Sequence, residues 1–372
     1  MKTLLTKTIR ILLAATILAS GFTQNSFAQE NTRAIEFPDI PGYRTLKCDF
    51  HMHTVFSDGN VWPNIRVQEA LRDSLDAISI TDHLEYQPKK DEVPHADRNA
   101  SYKLALKAAR NSGLIVVNGA EITRSMPPGH ANAIFLKDAN KLNVDEPMEA
   151  FREAKKQEAF VFWNHPHWTA QQADGIATLT DLHIQLINEG LISGIEIYNE
   201  TTYSDEALDI AHEHNLTLLG NSDIHGLIDW KFSMSEGAHR PVTLVFASEK
   251  NEQALKEAME ERRTAVWFDN TLVGDAQYVA PLVENSLELI HHVQSQVQRI
   301  ELINHSDASY ILENTSAFTL HNKASVFILE AHQSILLQVK TPDKPESFDL
   351  KFKVLNAFTA PGEHPEISFL VE

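Results

Sequence analysis

The sequence predicts an α/β fold built on a parallel sheet or barrel, followed by a small β-sandwich. Between about Leu46 and Phe268, short apolar runs alternate with amphipathic stretches of helical length. Beyond about Leu282 the helical spacing largely disappears and β-rich segments take over. Polar residues of the kinds that bind metal recur where the strands of the first region are expected to end.

The elements of the first region follow from these runs and from helix-start residues such as Asp, Ser and Pro. The predicted strands are 77–80, 114–117, 159–162, 194–198, 216–219 and 243–246. The predicted helices between them are 65–75, 100–111, 147–156, 179–189, 205–214 and 252–261. The β-rich region is expected to form strands at 297–304, 310–313, 325–330, 334–339, 348–354 and 366–371.

The chain is divided by these patterns into a signal peptide (1–28), a barrel (40–275) and a β-rich domain (282–372). Three cations, Lys2, Lys7 and Arg10, precede an apolar run that ends at Ala19, and Ala28 closes a cleavage-type sequence. The apolar run is about half of the ~20 residues that span a bilayer. We therefore expect an exported protein, periplasmic or secreted, without stable membrane insertion.

Charge and cysteine usage exclude further classes. The formal net charge of −19 disfavours nucleic acid as a partner, because polyanions are bound through basic surfaces. Cys48 is the only cysteine, so no intramolecular disulfide forms. A small-molecule substrate is the expected partner, and the sequence leaves the oligomeric state open.

Candidate metal ligands are the main functional signal. In an α/β barrel the carboxyl ends of the strands meet at one mouth, so residues distant in sequence converge there. His51 and His53 are two residues apart on a strand and project to the same side, and Asp223 and His225 repeat this spacing. The full candidate set is His51, His53, Asp58, His83, Glu121, His130, His165, Asp223 and His225.

The residue types in this set indicate the metals. Imidazole and carboxylate ligands together suit Zn, Mn or Fe, whereas an all-oxygen site would favour Mg or Ca. One ion could not use so many ligands, so two or three divalent ions are expected. A carboxylate such as Glu121 would be able to bridge two of them. Asp82 is expected to orient a neighbouring ligand rather than to bind metal.

The candidate ligands lie in an ordered series of motifs, namely DFHMHTVFSDG at 49–59, TDH at 81–83, Glu121, GH at 129–130, NHP at 164–166 and SDIH at 222–225. This series resembles the motifs of the PHP (polymerase and histidinol phosphatase) superfamily over roughly residues 45 to 270. Longer segments, NVWP at 60–63, SITDH at 79–83, EITRSMPPGH at 121–130 and FWNHP at 162–166, are followed by a β-rich domain. Together they resemble the exported Sb-PDE-type phosphodiesterases.

This resemblance implies a distorted (β/α)7 barrel of PHP type and a distribution of ligands. One metal is expected on His51, His53, Glu121 and Asp223, and a second on Glu121, His130 and His165. Asp58, His83 and His225 would form a third position. Many relatives have His at the position of Asp58, and the carboxylate makes manganese a serious candidate beside zinc and leaves occupancy of the third position open.

The expected function is a metal-dependent phosphoesterase acting on small organic phosphate diesters. A hydroxide held between two cations would attack phosphorus, with Glu121 and Asp223 holding the ions and His167 offered as the proton donor to the leaving alkoxide. Arg98 and Arg124 are candidate phosphate clamps. Trp168, with Trp163 and Phe162, is a candidate apolar wall for the two arms of a diester.

Three alternatives remain open at this stage. A phosphomonoesterase of the histidinol-phosphatase kind would use the same chemistry. A non-catalytic metal-binding PHP domain would keep the ligands without turnover. An amidohydrolase acting on carbon–nitrogen bonds would also suit a barrel mouth with a metal-bound hydroxide.

Overall fold

The computed structural model describes residues 34–372 apart from 235–236, 294–295 and 342–344. The predicted signal peptide therefore lies outside the described residues. The barrel region contains β1 (Arg44–Asp49), β2 (Ala77–Ile80), β3 (Ile115–Ile122), β4 (Ala131–Ile134), β5 (Phe160–Trp163), β6 (Gly194–Asn199), β7 (Thr202–Tyr203), β8 (Thr217–Asn221), β9 (Val242–Ala247), β10 (Thr264–Phe268) and β11 (Thr271–Gly274).

Helices alternate with these strands as the sequence pattern predicts. They are α1 (Pro63–Arg72), α2 (Ala100–Ala108), α3 (Pro147–Lys156), α4 (Asp181–Asn188), α5 (Asp205–His214), α6 (Ile228–Lys231), α7 (Glu252–Glu260) and α8 (Ala276–Ser286), with a short 3-10 helix at Ala139–Leu142. Within the described residues, no helix combines the length and the apolar character needed to cross a membrane.

Local chemistry sets the helix ends, as α5 illustrates. The Ser204 side chain accepts a hydrogen bond from the backbone N–H of Ala207, which satisfies one of the free donors at the start of the helix. Asp205 and Glu206 place negative charge beside the positive end of the helix dipole. Asn215, with φ of 56°, ends the helix in the left-handed conformation that Asn tolerates.

The barrel sheet is mixed rather than purely parallel, which corrects one expectation. Strands β1, β2 and β3 are parallel, as are β5, β6 and β8, but β4 runs antiparallel between β3 and β5. Strand β9 also pairs antiparallel with β1, and β10 and β11 continue the sheet in antiparallel order. The connection from Thr123 to His130 is too short for the crossover that a parallel strand requires. The antiparallel direction brings the start of β4 to the same edge as the ends of its neighbours.

Threonine side chains connect β8 to the strands beyond it. The Thr243 hydroxyl exchanges hydrogen bonds of 3.0 Å with the backbone of Gly220, and the Thr264 hydroxyl donates to the carbonyl of Leu218 at 2.9 Å. Gly220 has no room for a side chain, since an added Cβ would lie 2.2 Å from Val266. These contacts curl the sheet so that β8 lies beside β9 and β10, and the curled sheet forms the barrel.

The β-rich region forms two four-stranded sheets. Their strands are β12 (Leu287–Val293), β13 (Val297–Asn304), β14 (Tyr310–Asn314), β15 (Thr319–Leu320), β16 (Val326–Leu329), β17 (Ser334–Lys340), β18 (Phe348–Val354) and β20 (Glu366–Val371). In β18, Phe348, Leu350, Phe352 and Val354 are buried and alternate with more exposed residues, as expected for strands with one face on a core.

The β-rich region is also joined to the barrel sheet. A short strand, β19 (Ala357–Phe358), pairs in parallel with β11. The Asn356 side chain donates to the carbonyls of Asn270 and Ser309 and accepts from the N–H of Ile311. Helix α8 spans the predicted boundary region, so the connection between the two regions is a packed helix rather than a linker.

Candidate metal centre

The predicted ligands gather at one edge of the barrel sheet. Because β4 is antiparallel, His130 at its start lies at the same edge as the residues that follow the parallel strands. The contributing positions are His51 and His53 after β1, Asp58 in the loop beyond them, His83 after β2, Glu121 within β3, His130 before β4, His165 after β5, and Asp223 and His225 after β8.

Glu121 lies at the middle of the cluster and is fully buried. Its Oε1 is 2.7 Å from His130 Nδ1 and 3.8 Å from His165 Nε2. Its Oε2 is 2.8 Å from His83 Nδ1 and 3.4 Å from His53 Nε2. The two oxygens therefore face different histidines, which is the arrangement that a bridging carboxylate needs.

Asp223 and Asp58 provide two further carboxylates. Asp223 Oδ1 is 3.1 Å from His51 Nε2 and 3.0 Å from His53 Nε2. Asp58 Oδ2 is 3.2 Å from His225 Nε2 and 3.5 Å from His83 Nε2. His53 lies between the two, because its other nitrogen, Nδ1, is 3.7 Å from Asp58 Oδ1.

Several of these buried atoms have no hydrogen-bond partner, although they lie close to one another. They are His51 Nε2, both ring nitrogens of His53, Glu121 Oε2, His130 Nδ1, His165 Nδ1 and Asp223 Oδ1. A buried polar atom without a partner costs roughly 1–3 kcal/mol. The concentration of these unpartnered atoms at one place fits a site in which metal ions are the missing partners. The imidazole and carboxylate groups are ligands that suit Zn, Mn or Fe.

Among the described residues, four groups of side chains could each hold a metal ion. Within a group, every side chain contributes one ligand atom, and these atoms all lie within 4.8 Å of one another. Compared with the ligand sets implied by the superfamily resemblance, His53 joins the position formed by Asp58, His83 and His225. His83 also approaches Glu121 and His130. The groups are His53, Asp58, His83 and His225; His51, His53 and Asp223; His51, Glu121 and His165; and His83, Glu121 and His130.

The electrostatics keep the carboxylates charged. Burial alone would raise the pKa of Asp223, but His51 and His53 outweigh it and hold that pKa well below its usual range. Burial would likewise raise the pKa of Glu121, but His83 and His130 outweigh it and hold that pKa well below its usual range. Burial, together with His225 and His83, lowers the pKa of His53 to about 4. Charged carboxylates are the protonation state that binds metal.

Glu196 is a functional residue that the sequence analysis missed. It is buried in β6, and its Oε1 is 2.9 Å from His51 Nδ1 while its Oε2 accepts from the backbone N–H of His165 at 2.8 Å. Asn221 and Asn199 donate to the same carboxylate. Glu196 thus fixes the ring of one candidate ligand and the backbone of another. A charged residue inside the apolar run 194–198 was the available signal.

Side chains behind the cluster hold its loops. Asp82 accepts from the backbone and hydroxyl of Thr54, and from the hydroxyl of Ser57, each at 2.7 Å. Buried Arg66 donates to the carbonyls of His53 and Ile224 at 3.0 and 2.9 Å. Asp82 therefore supports the loop between His53 and Asp58, in keeping with the orienting role expected of it.

Backbone strain is stored at two candidate ligands. His165 has φ of 30° and Asp223 has φ of 46°, and neither residue is glycine. Such left-handed conformations cost on the order of 1–3 kcal/mol and persist only where the surroundings enforce them. Gly59 has a related role, since an added Cβ would lie 2.5 Å from the backbone of His53. The chain is thus held tightly where it presents the cluster.

The cluster opens into a cleft of about 510 Å³. Its lining includes acidic, imidazole, hydroxyl and aromatic side chains but, among the described residues, no lysine or arginine. The lining residues are Asp58, His83, Tyr86, Glu121, Thr123, His130, His165, His167, Trp168, Thr169, Asn199, Glu200, Thr202, Asp223 and His225.

His167 and Trp168 are placed at the cleft, as the sequence analysis expected. His167 Nε2 is 2.8 Å from the hydroxyl of Thr202, and its Nδ1 has no hydrogen-bond partner. The ring of Trp168 is 44% exposed, with its centroid 5.1 Å from that of His165 and 5.7 Å from that of His130.

The two candidate phosphate clamps do not line the cleft, which corrects their assignment. Arg124 forms an ion pair with Glu85 at 2.8 Å and donates to the carbonyls of Val144 and Asp145. Arg98 contacts His95 and lines a separate small pocket on the far side of His83. Both guanidinium groups therefore contact loop residues rather than the cleft.

Trp163 and Phe162, which precede the NHP motif at 164–166, also lie elsewhere than expected. Trp163 is buried and stacks on His183 with ring centroids 4.0 Å apart, and Phe162 is buried in the core. Period-two alternation does not apply to β5, because both of its faces are covered. Of the three candidates for an apolar wall, only Trp168 reaches the cleft.

The comparisons with known proteins agree with this geometry. The sequence model of the PHP domain matches residues 49–262, and that of an Ig-like domain matches residues 287–370. A two-domain protein from Bacteroides vulgatus, containing a predicted PHP-like metal-dependent phosphoesterase, superposes with a TM-score of 0.85. It is 39% identical, and the match covers 91% of this chain and 98% of that protein.

A more distant relative is an uncharacterised protein from Methanocaldococcus jannaschii. It is 28% identical over 207 residues, which are 52% of this chain and 88% of the relative. The PHP match covers more than half of the chain and includes every candidate ligand. The protein therefore belongs to the PHP domain family, with an Ig-like domain after the barrel.

Proposed function

We propose that this protein is a metal-dependent phosphoesterase that hydrolyses small organic phosphate diesters. The observation that carries the proposal is the group of buried, unpartnered nitrogen and oxygen atoms that converge at the floor of an open cleft. Membership of the PHP family, and the likeness to a protein with a predicted phosphoesterase domain, support the same reaction class.

Two or three Mn, Zn or Fe ions would be held by the histidines and carboxylates of the cluster. Such ions lower the pKa of a coordinated water and neutralise charge on phosphoryl oxygens. Glu121 presents its two oxygens to different histidines, and Glu196 keeps the ring of His51 in place. His167 lines the cleft with one nitrogen unpartnered, so it is suited to pass a proton to the leaving oxygen.

The charge of the cleft supports diesters over monoesters. A monoester dianion is commonly bound by fixed cationic side chains as well as metal. The described lining residues include no lysine or arginine, and the nearby ammonium group of Lys231 is paired with Glu200 at 2.7 Å. A diester carries one negative charge and two organic arms, and Trp168 and Tyr86 offer surface for such arms.

The test compares bis(4-nitrophenyl) phosphate with 4-nitrophenyl phosphate at one pH, using protein loaded with manganese or with zinc. We expect kcat/KM for the diester to exceed that for the monoester by about tenfold or more with the better metal, which corresponds to ~1.4 kcal/mol of transition-state binding. Consistently faster monoester hydrolysis would establish the monoesterase alternative. Hydrolysis of neither ester by metal-loaded protein would favour a non-catalytic PHP domain or an amidohydrolase.

We also propose that the protein is exported and is periplasmic or secreted. The predicted signal peptide, with its cations before an apolar run, is its support. Cell fractionation with an antibody to the Ig-like domain tests it, and retention of the full-length protein inside the cell would contradict it.

A further inference from the structure

The wall of the cleft is chemically uneven. The strand order places β2, β3, β4 and β5 along one arc of the mouth and β6 and β8 along another. The first arc contributes Tyr86, Thr123, Trp168 and Thr169 to the lining, and the second contributes Asn199, Glu200 and Thr202. One side of the cleft therefore carries the two aromatic side chains outside the cluster, Tyr86 and Trp168, while the other carries the amide of Asn199 and the carboxylate of Glu200.

Tyr86 and Trp168 lie on either side of the metal ligands of the first arc. The ring of Tyr86 is 5.7 Å from that of His83 in an edge-on arrangement. The ring of His83 is 5.6 Å from that of His130, which in turn is 5.7 Å from the ring of Trp168. The two aromatic side chains thus flank the His83–His130 pair, directly beside the cluster.

Both aromatic rings remain exposed despite this position. Tyr86 is 52% exposed and Trp168 is 44% exposed, so a large apolar area faces water inside a concave site. Large aromatic surface in a pocket is what ligand-binding sites use to fix the organic part of a ligand. Aromatic side chains prefer offset-stacked or edge-to-face contacts with other rings, and this preference adds to the burial of area.

We propose that Tyr86 and Trp168 form a binding subsite for a planar aromatic ring on one organic arm of the substrate. This inference rests on the proposed function, because it places the phosphoryl group of the same substrate at the metal cluster. The ring lies against the first arc, because that arc carries the two exposed aromatic side chains, whereas the second arc presents the polar side chains of Asn199, Glu200 and Thr202. The substrate is then an ester with at least one aryl-type arm.

The test uses phosphonates, which carry one organic arm and are not hydrolysed. Binding of phenylphosphonate and of methylphosphonate to manganese-loaded protein is measured by calorimetry. The variants are Tyr86→Ala, Trp168→Ala and the pair together, with Trp168→Phe as the conservative change. Trp62→Ala is the matched control, because Trp62 is 50% exposed and packs on Phe56 outside the cleft lining. Metal content is measured for each variant.

We expect the wild-type protein and Trp62→Ala to bind phenylphosphonate about tenfold more tightly than methylphosphonate. In the double variant this preference should fall to within about twofold, with methylphosphonate binding and metal content unchanged, and Trp168→Phe should retain most of it. Equal binding of the two phosphonates by wild-type protein, or an undiminished preference in the double variant, would overturn the ring subsite alone. Failure of both phosphonates to bind would also overturn the ring subsite, whereas failure of metal-loaded wild-type protein to hydrolyse bis(4-nitrophenyl) phosphate, measured in parallel, would overturn the proposed function.

Discussion

Histidines in the barrel and in the Ig-like domain have opposite environments. His51 and His53 are fully buried at the barrel mouth and keep ring nitrogens without hydrogen-bond partners. In the Ig-like domain His305 is about half exposed, and its Nε2 is 2.9 Å from Glu288. His332 is similarly exposed and pairs with Asp307 at 2.7 Å.

This difference identifies the histidines whose environment requires a functional explanation. In exposed pairs such as His305–Glu288, each side chain is satisfied by its partner and by water. Such a pair contributes about 0–1 kcal/mol to the free energy of unfolding. Buried imidazoles and carboxylates that lack partners are costly, and a protein retains them where another group completes the site. Residue type alone does not separate the two sets, whereas burial and partners do.

The largest expected effect is the loss of Glu121. Glu121→Ala removes the carboxylate that faces His53, His83, His130 and His165, so we expect kcat/KM to fall by more than about 100-fold and metal content to fall with it. Kinetics with metal analysis on the same preparation measure both. His305→Ala, in the Ig-like domain, is the control and should change neither by more than about twofold. Full activity in metal-free Glu121→Ala protein would refute the metal mechanism.

The next effect concerns Glu196, which contacts ligands without joining the cluster itself. Glu196→Gln weakens the support of His51 Nδ1 and of the His165 backbone, so metal affinity should fall by roughly 10- to 100-fold. Titration of metal-free protein with Mn²⁺ measures it, and excess metal should restore much of the activity. Glu206→Gln is the matched control, because Glu206 contacts Ser204 at the surface. Equal metal affinities in the two variants would show that Glu196 does not support the metal ligands.

A smaller effect is expected at Asp58, which is less buried than Glu121 and faces the cleft opening. We expect Asp58→Ala to lower kcat/KM by about tenfold, because the ion it would hold contributes least to the reaction. Measured side by side, losses as large as those of Glu121→Ala would show that the outer position is essential.

The smallest expected effect is on stability, at the mostly buried carboxylate of Asp76, which needs no metal. Asp76 lies between Lys47 and Lys250, with both ammonium groups 2.7 Å from its oxygens. Burial opposes the effect of the lysines, but the net result is a lowered pKa. The stabilisation is therefore present above the unfolded-state pKa of about 3.9 and is lost as pH falls through the folded-state pKa.

Asp76→Asn should accordingly reduce the free energy of unfolding by about 1 kcal/mol at neutral pH, and by less as the pH is lowered past 4. Urea unfolding at pH 7, 5 and 3 measures the difference from the parent protein. Asp349→Asn, at an exposed position of β18, is the control. A difference that does not depend on pH would mean that the ion pairs at Asp76 add nothing.

The sequence predicted the architecture well because its signals were local. Helices α3 and α5 begin and end at the predicted residues, where Pro147 and the Ser204 cap define their starts. Most of the candidate ligands were found because they follow the predicted strands or belong to the ordered motifs, such as His51 and His53 after β1 and Asp223 and His225 after β8. The reversed strand β4 was missed, since a four-residue apolar run carries no information about direction.

The remaining errors concern residues whose roles depend on tertiary partners. Arg124 was taken for a phosphate clamp, but Glu85 and two carbonyls occupy it. The sequence offers Trp163 as part of an apolar wall for a diester, but its ring packs on His183. Glu196 went unnoticed because its partners, His51 and Asn221, are distant in sequence. No periodicity reveals which side chain a guanidinium or a carboxylate meets.

The central claim is that metal ions complete the buried cluster at the barrel mouth. The most direct measurement is metal binding to chelator-stripped protein, followed by thermal unfolding with and without the metal. We predict that the protein binds two or three Mn²⁺ or Zn²⁺ ions per chain, and that Tm rises with metal concentration because binding favours the folded state. Protein that binds no divalent metal and unfolds at the same temperature with or without it would contradict the account.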